Sequence, residues 1–537
     1  MSLKPLLEKD LEYVRSIDAE EWIPLIMFTK HEGDYKRYDH VLLISFSVNN
    51  NNVNELVHPR WDINGIYDCF KSSTSDDSGA PVYKKYNDFF HPIVIQRCEP
   101  KLNKIITSIS EEYVMFYNLF ESNEYYYYYD DYGEIKKLIK IDKEGGTIYF
   151  EKSHLFYFLS VKKHTLVIQF WFMEYSQDRV EENLLENYNI DDMDMPYHYS
   201  ICNVPEFDCL NTIRYHSIGQ ICGKKIITPE YDCSMINKNF QFAEFIIGKR
   251  NGIEVISTCD VNTLNRSDDN IDTPHYLTPV FFKKSVLKKY YGNPQYLVGD
   301  GYVSYMPFWT LNIDNNHAEV VMVYLGDIGN ILPYNEQLYW RSFNVAPSKG
   351  YYTYVAYKRD LCAEETEPIA PDLIFKGKYD NFKRIWKEQY GWDLFCDMHI
   401  DEQYHYTALH IPEKDNNKEF EEQIISLHKL MVESINVEEL NKKVAKEIDQ
   451  KSIALLEKYI SLKCGQSESE KIISILYRLN KIRSCSSGHR KGKKYDKFVR
   501  PHIEECGTDG FFIDILNGCT ILIDTIYKLF IKHEKIK

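Results

Sequence analysis

Apolar residues follow one another along this chain in two different rhythms, and the change of rhythm divides it. As far as about residue 360 they come in short runs or at every second position, the period of a strand. HVLLISFSV (40–48), HPIVIQRCE (91–99), EYVMFYNLF (112–120), IKKLIKID (135–142), LVIQFWF (166–172), GKKIITP (223–229), FAEFIIG (242–248), IEVIST (253–258), YVSYMPFWTLNID (302–314) and EVVMVYLGDIG (319–329) all predict strands. A short amphipathic stretch leads the chain. Short helices are expected at Leu155–Val161, at VLKKYYG (286–292) and after Pro333, a residue that suits a first helical position.

Beyond Lys418 the period lengthens to that of a helix. Phe420, Ile424, Leu427 and Met431 mark the first helix, and Leu440, Val444, Ile448, Leu455 and Tyr459 mark the second. Ile472, Leu476 and Leu479 mark the third. The fourth is apolar nearly all round (Phe512, Ile515, Leu516, Cys519, Leu522, Ile523, Ile526, Phe530), which predicts a buried central helix or a dimer seam. The fold class expected is α+β and multidomain: a β-rich N-terminal and middle region followed by a C-terminal four-helix bundle.

Composition places the boundaries. The acid-rich tract Asp178–Asp194 reads as a solvated loop, and EETEPIAPD (364–372) and IPEKDNNKE (411–419) read as linkers around a short helix that closes near Gly391. The domains expected are 1–195 (β-rich), 196–410 (α+β) and 418–537 (helical). The 43 tyrosines suit half-buried sheet surfaces. Five of them, Tyr125–Tyr129, alternate faces in a strand, so an edge hairpin is expected rather than a base-stacking platform.

The 13 cysteines include no C-x-x-C pair, which suits reduced thiols. MSLKPLLEKDLEYV carries no cationic-then-apolar signal, and the expectation is a cytoplasmic protein with no membrane association. No Walker loop, G-x-G-x-x-G, G-x-S-x-G or H-E-x-x-H motif occurs, so no cofactor is expected. Cys396, His399, His405 and His410 approach a metal-ligand spacing, but QYHYTALHIP alternates as a strand and sends His405 and His410 to opposite faces, so no metal is expected. Asp327, Glu336 and Arg341 form a polar constellation best read as capping and ion pairing.

Charge singles out one stretch. Net charge is −16, yet window 478–500 holds nine Lys/Arg (Arg478, Lys481, Arg483, Arg490, Lys491, Lys493, Lys494, Lys497, Arg500) against Asp496 alone. One concentrated basic patch on an acidic chain is an electrostatic footprint for a polyanion. Within it, Arg483 continues the Ile472–Leu476–Leu479 stripe at helical spacing, and His489 follows six residues later, past Ser484-Cys485-Ser486-Ser487-Gly488.

Arg-x5-His late in a helical C-terminal segment, over roughly 418–537, resembles the HEPN superfamily, whose ribonuclease members carry Arg-x(4–6)-His at a helix end. The residue after the arginine is often Asn, Asp or His there and is Ser484 here. LTPVFFKKSVLKKYYGNP and LGDIGNILPYNEQLYWRSFNVAP resemble stretches of large bacterial defence-type proteins that end in such bundles. The resemblance implies a metal-independent endoribonuclease with Arg483 and His489 catalytic, an anti-phage, abortive-infection or toxin effector, paired as a homodimer through its C-terminal bundle. Lys481, Ser484, Arg490, Lys491, Lys493, Lys494 and Lys497 are the expected RNA-binding residues. A phage-derived trigger or an antitoxin is a further expected partner, with the β-rich region as sensor or scaffold. The alternative is a non-catalytic nucleic-acid-binding or protein-interaction module that keeps the basic loop; in a purely structural reading Arg483 pairs with a bundle carboxylate and His489 merely ends a helix. A toxin silenced by modification of Tyr495 is a third reading.

Overall fold

A strand apolar on both faces must be covered on both, and LVIQFWF accordingly lies in the interior of a large antiparallel sheet. The computed structural model describes residues 3–32, 37–56, 90–99, 104–142, 146–208, 214–230, 241–266, 273–444, 451–486 and 491–531. The chain forms two units, Met1–Phe240 and Gln241–Lys537.

In the first unit α1 (Leu3–Ser16) precedes β1 (Trp22–Glu32), β2 (Arg37–Asn49), β3 (Phe90–Pro92), β4 (Val94–Glu99) and β5 (Lys104–Ile109). After α2 (Glu111–Tyr117) come β6 (Phe120–Ser122), β7 (Tyr125–Tyr129), β8 (Ile135–Asp142) and β9 (Thr147–Glu151). Then follow α3 (Lys152–Lys162), β10 (His164–Ser176), β11 (Glu186–Ile190), β12 (Tyr197–Asp208) and β13 (Arg214–Ile227). The sheet order is β11-β12-β13-β10-β2-β1-β9-β8-β7-β6, with β3 on β2. One face packs against α1, α2 and α3 through Leu7, Leu11, Tyr113, Leu159, Ile168 and Phe170. The other holds a smaller cluster of Phe46, Val48, Val167 and Ile226.

Two expectations fail here for local reasons. EYVMFYNLF begins as α2, not a strand: Glu111 and Glu112 stand in its first turn, Tyr113 and Tyr117 bury one face four residues apart, and left-handed Asn118 (φ 48) ends it. The acidic tract is not wholly a loop, since β11 pairs with β12 in the register Glu186↔Ile201 to Ile190↔Tyr197. The boundary expected at 195/196 therefore falls between two hydrogen-bonded strands, and the chain divides at 240/241 instead. The tyrosine run is β7, one strand in from the edge. The polar tract Ser72–Gly79, whose composition favours turns, lies outside the described residues.

The second unit opens with the hairpin β14 (Glu244–Arg250) and β15 (Ile253–Thr258). It continues with β16 (Pro279–Lys283), a 3-10 turn at Lys284–Lys289, β17 (Tyr296–Gly299), β18 (Tyr302–Tyr305), β19 (Trp309–Asn312) and β20 (Val320–Tyr324). Next come α4 (Leu325–Ile331), α5 (Tyr334–Arg341), β21 (Asn344–Val345) and α6 (Tyr354–Ala356). The strands form small antiparallel sheets, β20-β16-β21 and β17-β18-β19. EVVMVYLGDIG turns helical at Leu325, where a Cβ on Gly329 would stand 1.8 Å from the Cys259 carbonyl oxygen, so only glycine admits this approach.

The rest is helical: α7 (Pro371–Tyr390), α8 (Tyr404–Thr407), α9 (Asn417–His428) with a π-turn at Lys429–Glu433, α10 (Val437–Lys443), α11 (Ser452–Cys464), α12 (Gln466–Ser486), α13 (Lys493–Phe498) and α14 (Arg500–Phe530). The second expected helix is two, because Val444 is extended (φ −133, ψ 142) after α10; Ile448 lies outside the described residues. α14 is the central helix, interrupted at Gly507 (φ 79). It is also the one helix among the described residues long and apolar enough to cross a membrane, and half of its most apolar window is buried.

α7 closes at left-handed Gly391 as expected, but it is 20 residues long and belongs to the bundle. Phe375, Tyr379, Phe382 and Trp386 join one hydrophobic core with Phe420, Leu476, Phe512, Ile526 and Phe530. Trp386 packs on Phe530 with ring centroids 5.5 Å apart, and Tyr390 donates its hydroxyl to the Phe530 carbonyl at 2.7 Å. The segment taken for a linker is tied down as well. Glu419 accepts from His410 Nε2 at 2.9 Å, the Glu413 amide at 2.8 Å and Asn416 Nδ2 at 3.1 Å, with Lys288 Nζ at 3.3 Å. Burial works to raise its carboxyl, but the His410 and Glu413 hydrogen bonds outweigh it and hold the group at about 2. The four-helix bundle expected at 418–537 thus lacks an essential wall.

A fragment beginning at Lys418 is therefore expected to aggregate or stay unfolded by circular dichroism, while one beginning at Gln241 folds. Trp386→Ala should cost about 3–5 kcal/mol in denaturant unfolding, as for other buried large-to-small changes. Glu419 contributes about 3 kcal/mol, complete above its ordinary value of 4.5 and lost as pH falls toward 2. The stability gap between wild type and Glu419→Gln should accordingly shrink between pH 5 and about pH 2.

Candidate catalytic cluster and nucleic-acid interface

α12 carries the expected arginine, but not where the stripe was drawn. The side chains it buries are Ser469, Ile473, Leu476, Leu479, Ile482, Cys485 and Ser486, a near three-residue repeat from Ile473 to Cys485, so Ile482 continues the core face. Ile472 and Arg483 lie beside it. Arg483 keeps 41% of its side chain exposed and stands 3.9 Å from Glu433 Oε1, the outer limit of an ion pair. Ser484 is half-buried. His489 and Arg490 lie outside the described residues.

What surrounds Arg483 comes from the end of α9. His428, 5% exposed, places Nε2 3.1 Å from Asn480 Oδ1. Since Oδ1 only accepts, Nε2 donates to it. Nδ1 lies 3.2 Å from Glu433 Oε1 without hydrogen-bond geometry. Burial pushes His428 below its ordinary value, and the charge of Arg483 adds to this against the pull of Asn480 and Glu433. Glu433 also faces Lys429 at 3.9 Å, and Lys429 in turn pairs with Glu402.

Sequence reasoning missed His428, Glu433 and Asn480. His428 and Glu433 are five residues apart, a spacing that separates side chains on an α-helix. The π-turn, closed by Ser434 N donating to Lys429 O at 3.1 Å, inserts the extra residue that brings them together. The FEEQIISLHKLMVESIN pattern alone carried no signal of that insertion.

The basic window divides into neutralised and free charge. Arg478 pairs with Asp514 at 2.8 Å, Lys491 with Glu421 at 2.6 Å and Arg500 with Asp496 at 3.0 Å. Lys481 stands 3.1 Å from the centre of the Phe498 ring and Lys497 5.4 Å from it, cation–π contacts that leave the charge uncancelled. Lys493 and Lys494 open α13 and make no ion pair among the described residues. Free positive charge thus collects on Lys481, Lys493, Lys494 and Lys497. Tyr495 is buried between them, under Lys491.

Elsewhere the expected groups are dispersed. QYHYTALHIP is not a strand: it holds α8, with His405 bonded to Ser426 Oγ at 2.9 Å and His410 to Glu419, while His399 is exposed. Among the described residues no three His, Cys, Asp or Glu side chains gather as metal ligands. Glu336 is buried against Lys289 and the Tyr290 hydroxyl (2.8 Å), whereas Asp327 accepts from the Tyr276 hydroxyl (2.9 Å).

No family model matches the chain, and neither a curated protein nor a solved structure matches it.

Proposed function

We propose that the protein is a metal-independent endoribonuclease of the HEPN kind, with Arg483 and His489 at its centre. The observation that carries this reading is the setting of Arg483. It stands half-exposed at the end of α12 beside a half-exposed carboxylate and a buried histidine, in a window with four lysines that have no acid partner among the described residues. Cleavage through 2′-hydroxyl attack needs a base, a proton for the leaving 5′-oxygen and a cation on the phosphorane. Arg483 supplies the cation. His489 supplies one of the proton-transfer roles, and the second belongs to Glu433 of the same chain or to His489 of a second copy. A homodimer, in this reading, forms through the Arg483 face, because α7 absorbs the apolar excess of α14 inside the chain. The cellular role that fits is an anti-phage, abortive-infection or toxin effector, with the β-rich region sensing a trigger or binding an antitoxin.

A second reading, a nucleic-acid-binding or protein-interaction module without cleavage, is favoured by one observation: Glu433 partly neutralises Arg483, just as acids neutralise Arg478, Lys491 and Arg500. The two readings separate on the same assay.

Arg483→Ala and His489→Ala should each lower RNA cleavage by about 10²–10⁴-fold with unchanged thermal unfolding. Full activity in either variant removes the proposed site, and cleavage by neither wild type nor variant selects the second reading. For binding, four free lysines on single-stranded RNA give a log K against log salt slope near −3, at roughly −0.7 per phosphate. Reversing Lys493, Lys494 and Lys497 to Glu should abolish binding at physiological salt, measured by fluorescence anisotropy.

A further inference from the structure

A histidine buried in a helical bundle is ordinarily satisfied by neutral partners on both nitrogens. His428 is 5% exposed, and its two nitrogens face unlike groups. Nε2 donates to Asn480 Oδ1 at 3.1 Å, and Nδ1 faces Glu433 Oε1 at 3.2 Å. Because Nε2 keeps its proton for Asn480, the ring gains and loses its titrating proton at Nδ1. That proton lies toward the Glu433 carboxylate.

The pair joins the interior to the surface. Glu433 keeps 45% of its side chain exposed, and the same Oε1 stands 3.9 Å from Arg483, the residue assigned to the phosphorane. The π-turn at Lys429–Glu433 makes the alignment, since a five-residue step on an α-helix would carry Glu433 to another side. Three further groups surround the pair. Arg483 comes from α12, Lys429 stands 3.9 Å from Glu433 Oε2 and pairs with Glu402, and the buried His405 of α8 is bonded to Ser426. Burial pushes His428 below its ordinary value by more than Asn480 and Glu433 pull it up, and Arg483 adds to the push. At neutral pH the pair is therefore ready to take a proton rather than to give one.

We propose, within the ribonuclease reading on which this rests, that Glu433 is the catalytic base for the 2′-hydroxyl and that His428 is its positioning residue, sharing through Nδ1 the proton Glu433 takes. The 2′ O–H bond breaks and its electron pair forms the new bond to phosphorus. The proton passes to the Glu433 carboxylate and comes to rest between Oε1 and Nδ1. The bond from phosphorus to the 5′-oxygen breaks, and that oxygen keeps the electron pair and takes the proton His489 donates. A lone carboxylate is a weak base for a hydroxyl, and the imidazole behind it holds the proton more firmly than water does. The base thus comes from the same chain as Arg483, and no second copy is needed for that role.

The test is single-turnover cleavage of a short end-labelled RNA by the full chain across roughly pH 5–9, with affinity measured by fluorescence anisotropy. Glu433→Gln should lower the cleavage rate by about 10²–10⁴-fold while binding RNA as tightly as wild type or more so, since a negative charge leaves the site. His428→Gln and Asn480→Ala should each lower the rate and move the acid limb of the pH profile down by about one unit, because a base that shares its proton less firmly loses it at lower pH. A side chain that only filled space would lower the rate without moving that limb. Asn480 is exposed, so its variant carries the comparison if His428→Gln fails to fold. A wild type that leaves RNA intact overturns the ribonuclease reading and the roles of Glu433 and His428 with it. A cleaving wild type with an undiminished rate in Glu433→Gln, or with an acid limb unmoved by the other two substitutions, overturns those roles alone.

Discussion

The helical half of the protein depends on covering α14. A 31-residue segment this rich in apolar side chains needs cover over most of its circumference, and α9, α11 and α12 cover only part of it. α7 covers a further face, with Trp386 against Phe530 and Phe375, Tyr379 and Phe382 in the same core, and Ile521 stays exposed. That requirement sets the extent of the unit. It draws in sequence that composition had marked as a boundary, and it carries the 391–416 segment along, tied through His410, Glu413 and Glu419.

Period and polarity showed the β-rich half and the helical half, and they showed α14 as central. They could not show α7 as its partner, since an amphipathic helix declares that one face is buried but not against what. They misread EYVMFYNLF, whose run of large apolar residues fits a strand by composition while Tyr113 and Tyr117 fit a helix by spacing. They also placed a boundary at Asp194, because a sheet edge on the surface is as polar as a loop; β11 is such an edge.

The site divides in the same way. Charge clustering marked the window, and four of its lysines have no acid partner among the described residues. Periodicity put Arg483 one position too far into the core, because α12 buries a three-residue repeat rather than a 3–4 alternation. His428, Glu433 and Asn480 were invisible to any α-helical spacing rule, for the π-turn alone aligns the first two. Both π-turns among the described residues carry charged side chains: Lys429 and Glu433 beside Arg483, and Arg359 and Asp360, which bond Asp300 and the Tyr324 hydroxyl. In each, one extra residue per turn redirects a side chain away from the helix face its sequence position implies.

The central claim concerns chemistry at Arg483, and product identity tests it most directly. Purified full-length protein incubated with end-labelled RNA in excess EDTA should yield fragments ending in 2′,3′-cyclic phosphate and starting with a 5′-hydroxyl. Attack by the neighbouring 2′-hydroxyl leaves only those ends. Fragments with 5′-phosphate ends, cleavage that EDTA abolishes, or intact RNA after prolonged incubation would contradict it.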